Sequence, residues 1–238
     1  MEKAFDLRLL DQYWVNGSRD TNFTDDPTSH GKIALIVNGE DISGCDDGHT
    51  DYGINQAAPR LLQTVVLDHA PDPEDVSDTA IFPHGCWILS SCPNCVIDFS
   101  VSHLKSDEVI LSQFVVTGAG VRRSLRLSSR AVRLPLTEYA QMVLTFAEQA
   151  LSFLPPRAGA DEEAEYYELL RAMHVKLIAL VRKYLVKGKV TRAMRREAQS
   201  YPVFTLYDIG PWAALRKPSG LRRLSDRIVG LRKRCLGR

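Results

Sequence analysis

The sequence predicts an α+β fold: an antiparallel β-meander packed with two amphipathic helices, plus a basic helical C-terminal region. Three observations carry this. Between residues 80 and 135, short apolar bursts recur between polar residues, most clearly Ile97, Phe99 and Val101 against Asp98, Ser100 and Ser102. That period of two is the mark of a half-buried strand. Residues 54–69 and 137–154 instead place apolar side chains at helical spacing. Finally, the charge is divided along the chain. Of 30 Lys and Arg, 18 lie in residues 171–238, against 3 of the 29 Asp and Glu, so that tail carries +15 and the first 170 residues −14.

Taken in order, residues 1–31 combine an apolar patch (Phe5, Leu7, Leu9, Leu10, Tyr13, Trp14) with a polar run that reads as a long loop. KIALIVNGEDISG predicts a β-hairpin, because Asn38-Gly39 accepts the positive φ angles of a type I′ turn. INQAAPRLLQTVVLDH, residues 54–69, predicts a helix with Pro59 in its first turn or at a kink. Strands follow in AIFPHGCWILSS, CVIDFSVSHL, EVILSQFVVT and RSLRLSSRAVRLPL. Thr137 fits an N-cap for the helix EYAQMVLTFAEQALSFL. PPRAGADEE breaks the pattern, giving an acidic α+β domain at 1–155 and a basic helical region at 156–238. No internal repeat is visible in the sequence.

Composition sets the class. A chain of 238 residues with 45% hydrophobic and 25% charged residues can bury a full core. It lacks the run of about 18 apolar residues that a membrane span needs. The opening MEKAFDLRLL has no basic-then-apolar leader, and the five cysteines are clustered, so a cytoplasmic location is expected.

Chemistry concentrates in HGCWILSSCPNC, residues 84–95. Cys92 and Cys95 have the two-residue gap of a zinc knuckle, and Cys45 with His49 could supply the second pair of the four ligands that structural zinc takes. His84 and Cys86 are rival ligands. The other reading, buried thiols acting as small hydrophobes beside Trp87-Ile88-Leu89, is preferred. No cofactor is therefore expected, with structural zinc as the alternative. VVTGAGVRRSL opens like a dinucleotide fingerprint, but Arg123 stands where the third glycine belongs and a strand follows instead of a helix. Arg122, Arg123, Arg126, Arg130 and Arg133 form a basic patch, read as a solvated sheet face. No nucleophile elbow, His-Glu-x-x-His pair or P-loop is present, which lowers the case for an enzyme.

DYGINQAAPRLLQTVVLDH, HGCWILSSCPNCVIDFSVSH and LPLTEYAQMVLTFAEQALSFL together resemble a group of small bacterial proteins of polymorphic-toxin and contact-dependent systems, which act as immunity proteins. The resemblance spans residues 5–155 and rests on Gly53-Ile54-Asn55, Leu61-Leu62, the strand from Asp98 to His103 and the closing helix. Pro59 departs from the uninterrupted helix of that pattern. The resemblance implies a non-enzymatic protein that neutralises a cognate toxin by direct contact, and it carries over no functional residues. Toxins of this kind are often cationic, so an acidic inhibitor surface would speed their encounter. The contact candidates are accordingly Glu40, Asp41, Asp46, Asp47, Asp51, Asp72, Glu74 and Asp75, with Trp14, Tyr52 and Trp87 as anchors if exposed. The alternative is a nucleic-acid-binding or regulatory protein acting through the basic C-terminal helices.

Overall fold

The computed structural model describes residues 3–14, 29–43, 51–72, 80–83, 96–104, 107–117, 125–127, 131–154, 162–201 and 203. They form two antiparallel sheets and four helices, an α+β fold. The first sheet holds β1 (Phe5–Trp14), β2 (Ser29–Val37), β3 (Glu40–Asp41) and β4 (Tyr52–Gly53), and α1 (Ile54–Thr64) follows it. The second holds β5 (Val96–His103), β6 (Glu108–Thr117), β7 (Leu125–Leu127) and β8 (Val132–Pro135), followed by α2 (Leu136–Ser152). Two further helices, α3 (Glu162–Lys187) and α4 (Arg192–Gln199), come last.

Both sheets follow one plan. A long antiparallel pair, β1–β2 or β5–β6, carries two short strands on its second member. The third strand pairs with the C-terminal part of that member, at Ile36↔Asp41 and Phe114↔Leu127. The fourth pairs with its N-terminal part, at Gly31↔Tyr52 and Val109↔Leu134, and leads directly into a helix. The pairing therefore repeats where the sequence does not.

Strand β1 takes up the apolar patch Phe5–Trp14, and β2 begins at Ser29, inside the polar run expected to be a loop. Phe5, Leu7 and Leu9 point into the core, but the pairing then slips between Leu9 and Asp11, and Gln12 and Trp14 become the buried residues. Leu10, the extra residue of this bulge, is 59% exposed. The bulge breaks the period of two, so the strand hides from a periodicity reading. The hairpin forms as expected, with φ of 50° at Asn38 and 82° at Gly39. Gly31 lets β1 and α1 close on β2: a Cβ there would lie 2.4 Å from the Asp11 carbonyl and 2.5 Å from Ile54 Cγ1.

Every residue of α1 is buried. Pro59 sits in its second turn, not its first, and has no N–H for the Asn55 carbonyl. The helix stops at Thr64, short of residue 69, as the N–H groups of Val66 and Leu67 fold back onto the Gln63 carbonyl. Arg60 is fully buried; it donates from Nε to the Val203 carbonyl (3.2 Å) and from its guanidinium to the Ala80 carbonyl. Gln63 Nε2 donates to the Ala198 (2.6 Å) and Tyr201 (2.8 Å) carbonyls. These side chains bind the C-terminal end of α4 to α1, supplying donors that the last turn of a helix lacks.

Helix α2 starts at Leu136, with Pro135 at the cap position, so Thr137 lies inside the helix and caps nothing. The Leu136 N–H donates to the Asp107 carbonyl (2.7 Å) and fixes that start. Tyr139, fully buried, meets the Thr64 hydroxyl at 2.6 Å, while Thr64 itself donates to the Leu61 carbonyl (2.7 Å). Burial pushes the Tyr139 phenol above its ordinary range. Tyr139→Phe removes one buried neutral hydrogen bond and leaves Thr64 its carbonyl, so a loss of about 1 kcal/mol is expected in denaturant unfolding.

The core runs without break through both sheets and all four helices, from Phe5 to Val203. Ring pairs join the layers: Phe5 with Phe99 (6.1 Å), Tyr52 with Phe82 (5.9 Å) and Phe82 with Phe146 (5.9 Å). Leu170, Met173, Leu177, Val181 and Tyr184 of α3 enter the same cluster, as do Met194 and Ala198 of α4. At about 1.5–3 kcal/mol for each large apolar side chain fully buried, this packing is what attaches the basic helices to the acidic part. A smaller cluster holds Trp14, Leu154 and Tyr167, with Phe153 at 5.2 Å from the Trp14 ring.

Candidate functional site

The acidic residues proposed as contacts fall into three groups. Glu40 and Asp41 are exposed on β3, directly after the hairpin turn. Asp41 also accepts from the Ser43 N–H (2.9 Å) and hydroxyl, which stiffens the chain leaving the hairpin. Asp72 is exposed, whereas Asp51 is partly buried and accepts from the Tyr13 hydroxyl. Asp46, Asp47, Glu74 and Asp75 lie outside the described residues, as do Cys45, His49, His84, Cys86, Trp87, Cys92 and Cys95. Among the described residues, no group of three His, Cys, Asp or Glu side chains is placed to hold a metal ion. Trp14 and Tyr52 are core residues, 1% and 0% exposed, and offer no anchor to a partner. In the basic patch, exposed Arg133 is paired with Glu108 across β8 and β6.

Two Asp–His pairs stand where the sequence showed only isolated residues. Asp98, fully buried on β5, uses Oδ1 to accept from His69 Nε2 (2.8 Å), the Ile81 N–H (3.1 Å) and the Phe99 N–H (3.0 Å). Asp68 accepts from the His103 N–H (2.8 Å) and meets its Nδ1 at 2.7 Å, while His103 Nε2 lies 3.0 Å from the Val65 carbonyl. Partial burial works against ionisation of Asp68. The His103 N–H and ring, helped by the charge of Arg195, outweigh it and hold the carboxyl below its usual range.

Asp–His pairs can orient a general base; the bonds of these two also tie distant segments of the chain together as clasps. The backbone around them is paired as well, at His69↔Val101 and Phe82↔Ile97. Together these bonds lay residues 68–69 and 81–82 along the outer edge of β5, and Val96–Val101 is buried on both faces instead of one. The hydroxyl between the two pairs, that of Ser100, donates to Gln113 Oε1 (2.6 Å) and not to a histidine. Gln113 holds a positive φ of 51° at the bulge where β6 slips against β5. No sequence signal announces either pair, because the partners lie 29 and 35 residues apart.

No described helix is long and apolar enough to cross a membrane. Compared with family models, curated proteins and solved structures, the chain matches none.

Proposed function

We propose that the chain is a non-enzymatic binding protein, of the immunity type, that neutralises a cognate cationic protein by direct contact with its acidic loops. The observation that carries this reading is the division of charge: −14 over residues 1–170, with Glu40, Asp41 and Asp72 held exposed on a folded frame. An acidic surface of this kind raises the encounter rate with a basic partner and repels acidic competitors. Asp51 leaves the contact set, since it accepts from the Tyr13 hydroxyl. Glu40, Asp41, Asp46, Asp47, Asp72, Glu74 and Asp75 remain its core.

The test is capture by the tagged full chain from nuclease-treated native extract at moderate salt, read by mass spectrometry. A single stoichiometric protein is expected. It should be lost when Asp46, Asp47, Glu74 and Asp75 are changed to Lys, because like charges across an interface cost several kcal/mol. Recovery that depends on nucleic acid, or capture unchanged by the four substitutions, would contradict the reading.

A further inference from the structure

The corner between α3 and α4 carries a second surface of opposite sign. Lys183 and Lys187 lie one turn apart on α3, and Arg192 and Arg196 one turn apart on α4. Residues four apart share a helix face, so each helix presents a row of two cations. Lys189 sits in the turn between the rows, and all five side chains are exposed. Among the described residues, none of the five forms an ion pair.

The corner is a fixed frame. Gly188 turns the chain with φ of 65° and nothing within 4 Å of where its Cβ would be. Thr191 caps α4 by accepting from the Met194 N–H. Tyr184, Met194 and Ala198 are fully buried behind the cations. Gln63 holds the far end of α4. Cations on such a frame meet a polyanion without first ordering the backbone.

We propose that this corner binds duplex nucleic acid through its phosphates, independently of sequence. An anionic membrane fits less well. Lipid binding needs an exposed apolar helix face, whereas the apolar sides of α3 and α4 are in the core and Val186 is the exposed large hydrophobic residue next to these cations. Single strands fit less well too, since their binding uses aromatic platforms and the exposed large hydrophobics among the described residues are Leu10, Val175 and Val186. This surface is independent of the acidic contact set.

The test is fluorescence anisotropy of a labelled duplex of arbitrary sequence, about 25 base pairs, titrated with the full chain over a range of salt. Five phosphate contacts predict a slope of log affinity against log salt near −4.5, or about 500-fold weaker binding at roughly 200 mM than at 50 mM salt. The variant Lys187→Glu, Arg192→Glu, Arg196→Glu should bind at least about tenfold more weakly, with a slope smaller by about 3. If its melting temperature falls, the glutamine versions at the same positions should show the same order of loss. No saturable binding at low salt would overturn the proposal. So would equal binding by folded variant and wild type, or preferential binding to phosphatidylserine vesicles.

Discussion

Asp98→Ala should cost about 3–5 kcal/mol of stability, the largest loss expected from one surface-remote polar residue in this chain. The carboxylate is fully buried, and its Oδ1 gathers three donors: the His69 ring and the N–H groups of Ile81 and Phe99. Alanine leaves these donors in an interior where water cannot replace the acceptor. It also frees residues 69 and 81 from the edge of β5, so hydrogen exchange at Val101 and Phe82, whose N–H groups donate to the His69 and Ile97 carbonyls, should accelerate. Asp98→Asn keeps a carbonyl oxygen at the same place. It should lose only about 1–2 kcal/mol, and the gap between the two variants separates the clasp from mere cavity formation. Equal losses would mean that packing, not hydrogen bonding, holds this edge.

Acid should destabilise the protein through His174. The ring is fully buried on α3, near Ala147 of α2. Burial pushes its pKa down to about 3, and Arg171 adds repulsion; the Ala147 carbonyl pulls the other way without reaching hydrogen-bond geometry to either ring nitrogen. The unfolded chain takes up the proton near 6.5. The folded form binds it only near 3, so the contribution is whole above pH 6.5 and is lost as pH falls toward 3. The slope is about 1.4 kcal/mol per pH unit. His174→Leu removes the titration and two buried nitrogens without partners. Its stability at pH 7 should equal or exceed that of the wild type. Between pH 6.5 and 4.5 the variant should gain roughly 2–3 kcal/mol on the wild type, as read from urea midpoints. Parallel pH profiles for the two proteins would refute this assignment.

Local chemistry made part of the fold legible. Asn38-Gly39 announces its turn because few other pairs accept two positive φ angles, and the apolar stripe of 137–154 announces α2. Elsewhere, distant partners decided the outcome. Strand β1 was hidden by one extra residue, Leu10, which reverses the facing of everything after it. Strand β5 reads as half-buried, yet Asp98 and Ser100 are interior because a segment about 30 residues earlier lies along its edge. Thr137 is a good cap residue two positions too late, since the Leu136 N–H donates to the Asp107 carbonyl and the helix starts there, with Pro135 at the cap. Of the candidate contact surface, sequence gives the charge of Glu40, Asp41 and Asp72 and the hairpin that carries the first two. It gives neither the use of Asp51 by Tyr13 nor the burial of Trp14 and Tyr52, which depend on what packs against them.

The central claim is that the acidic loops, and not the basic corner, take the protein partner. The most direct measurement captures from one extract with three forms of the full chain: wild type, the acidic-loop reversal at Asp46, Asp47, Glu74 and Asp75, and the corner reversal at Lys187, Arg192 and Arg196. The stoichiometric protein should vanish with the first reversal and persist with the second, while nucleic acid recovered without nuclease treatment should do the opposite. A protein partner retained by the acidic-loop variant and lost by the corner variant would contradict the account.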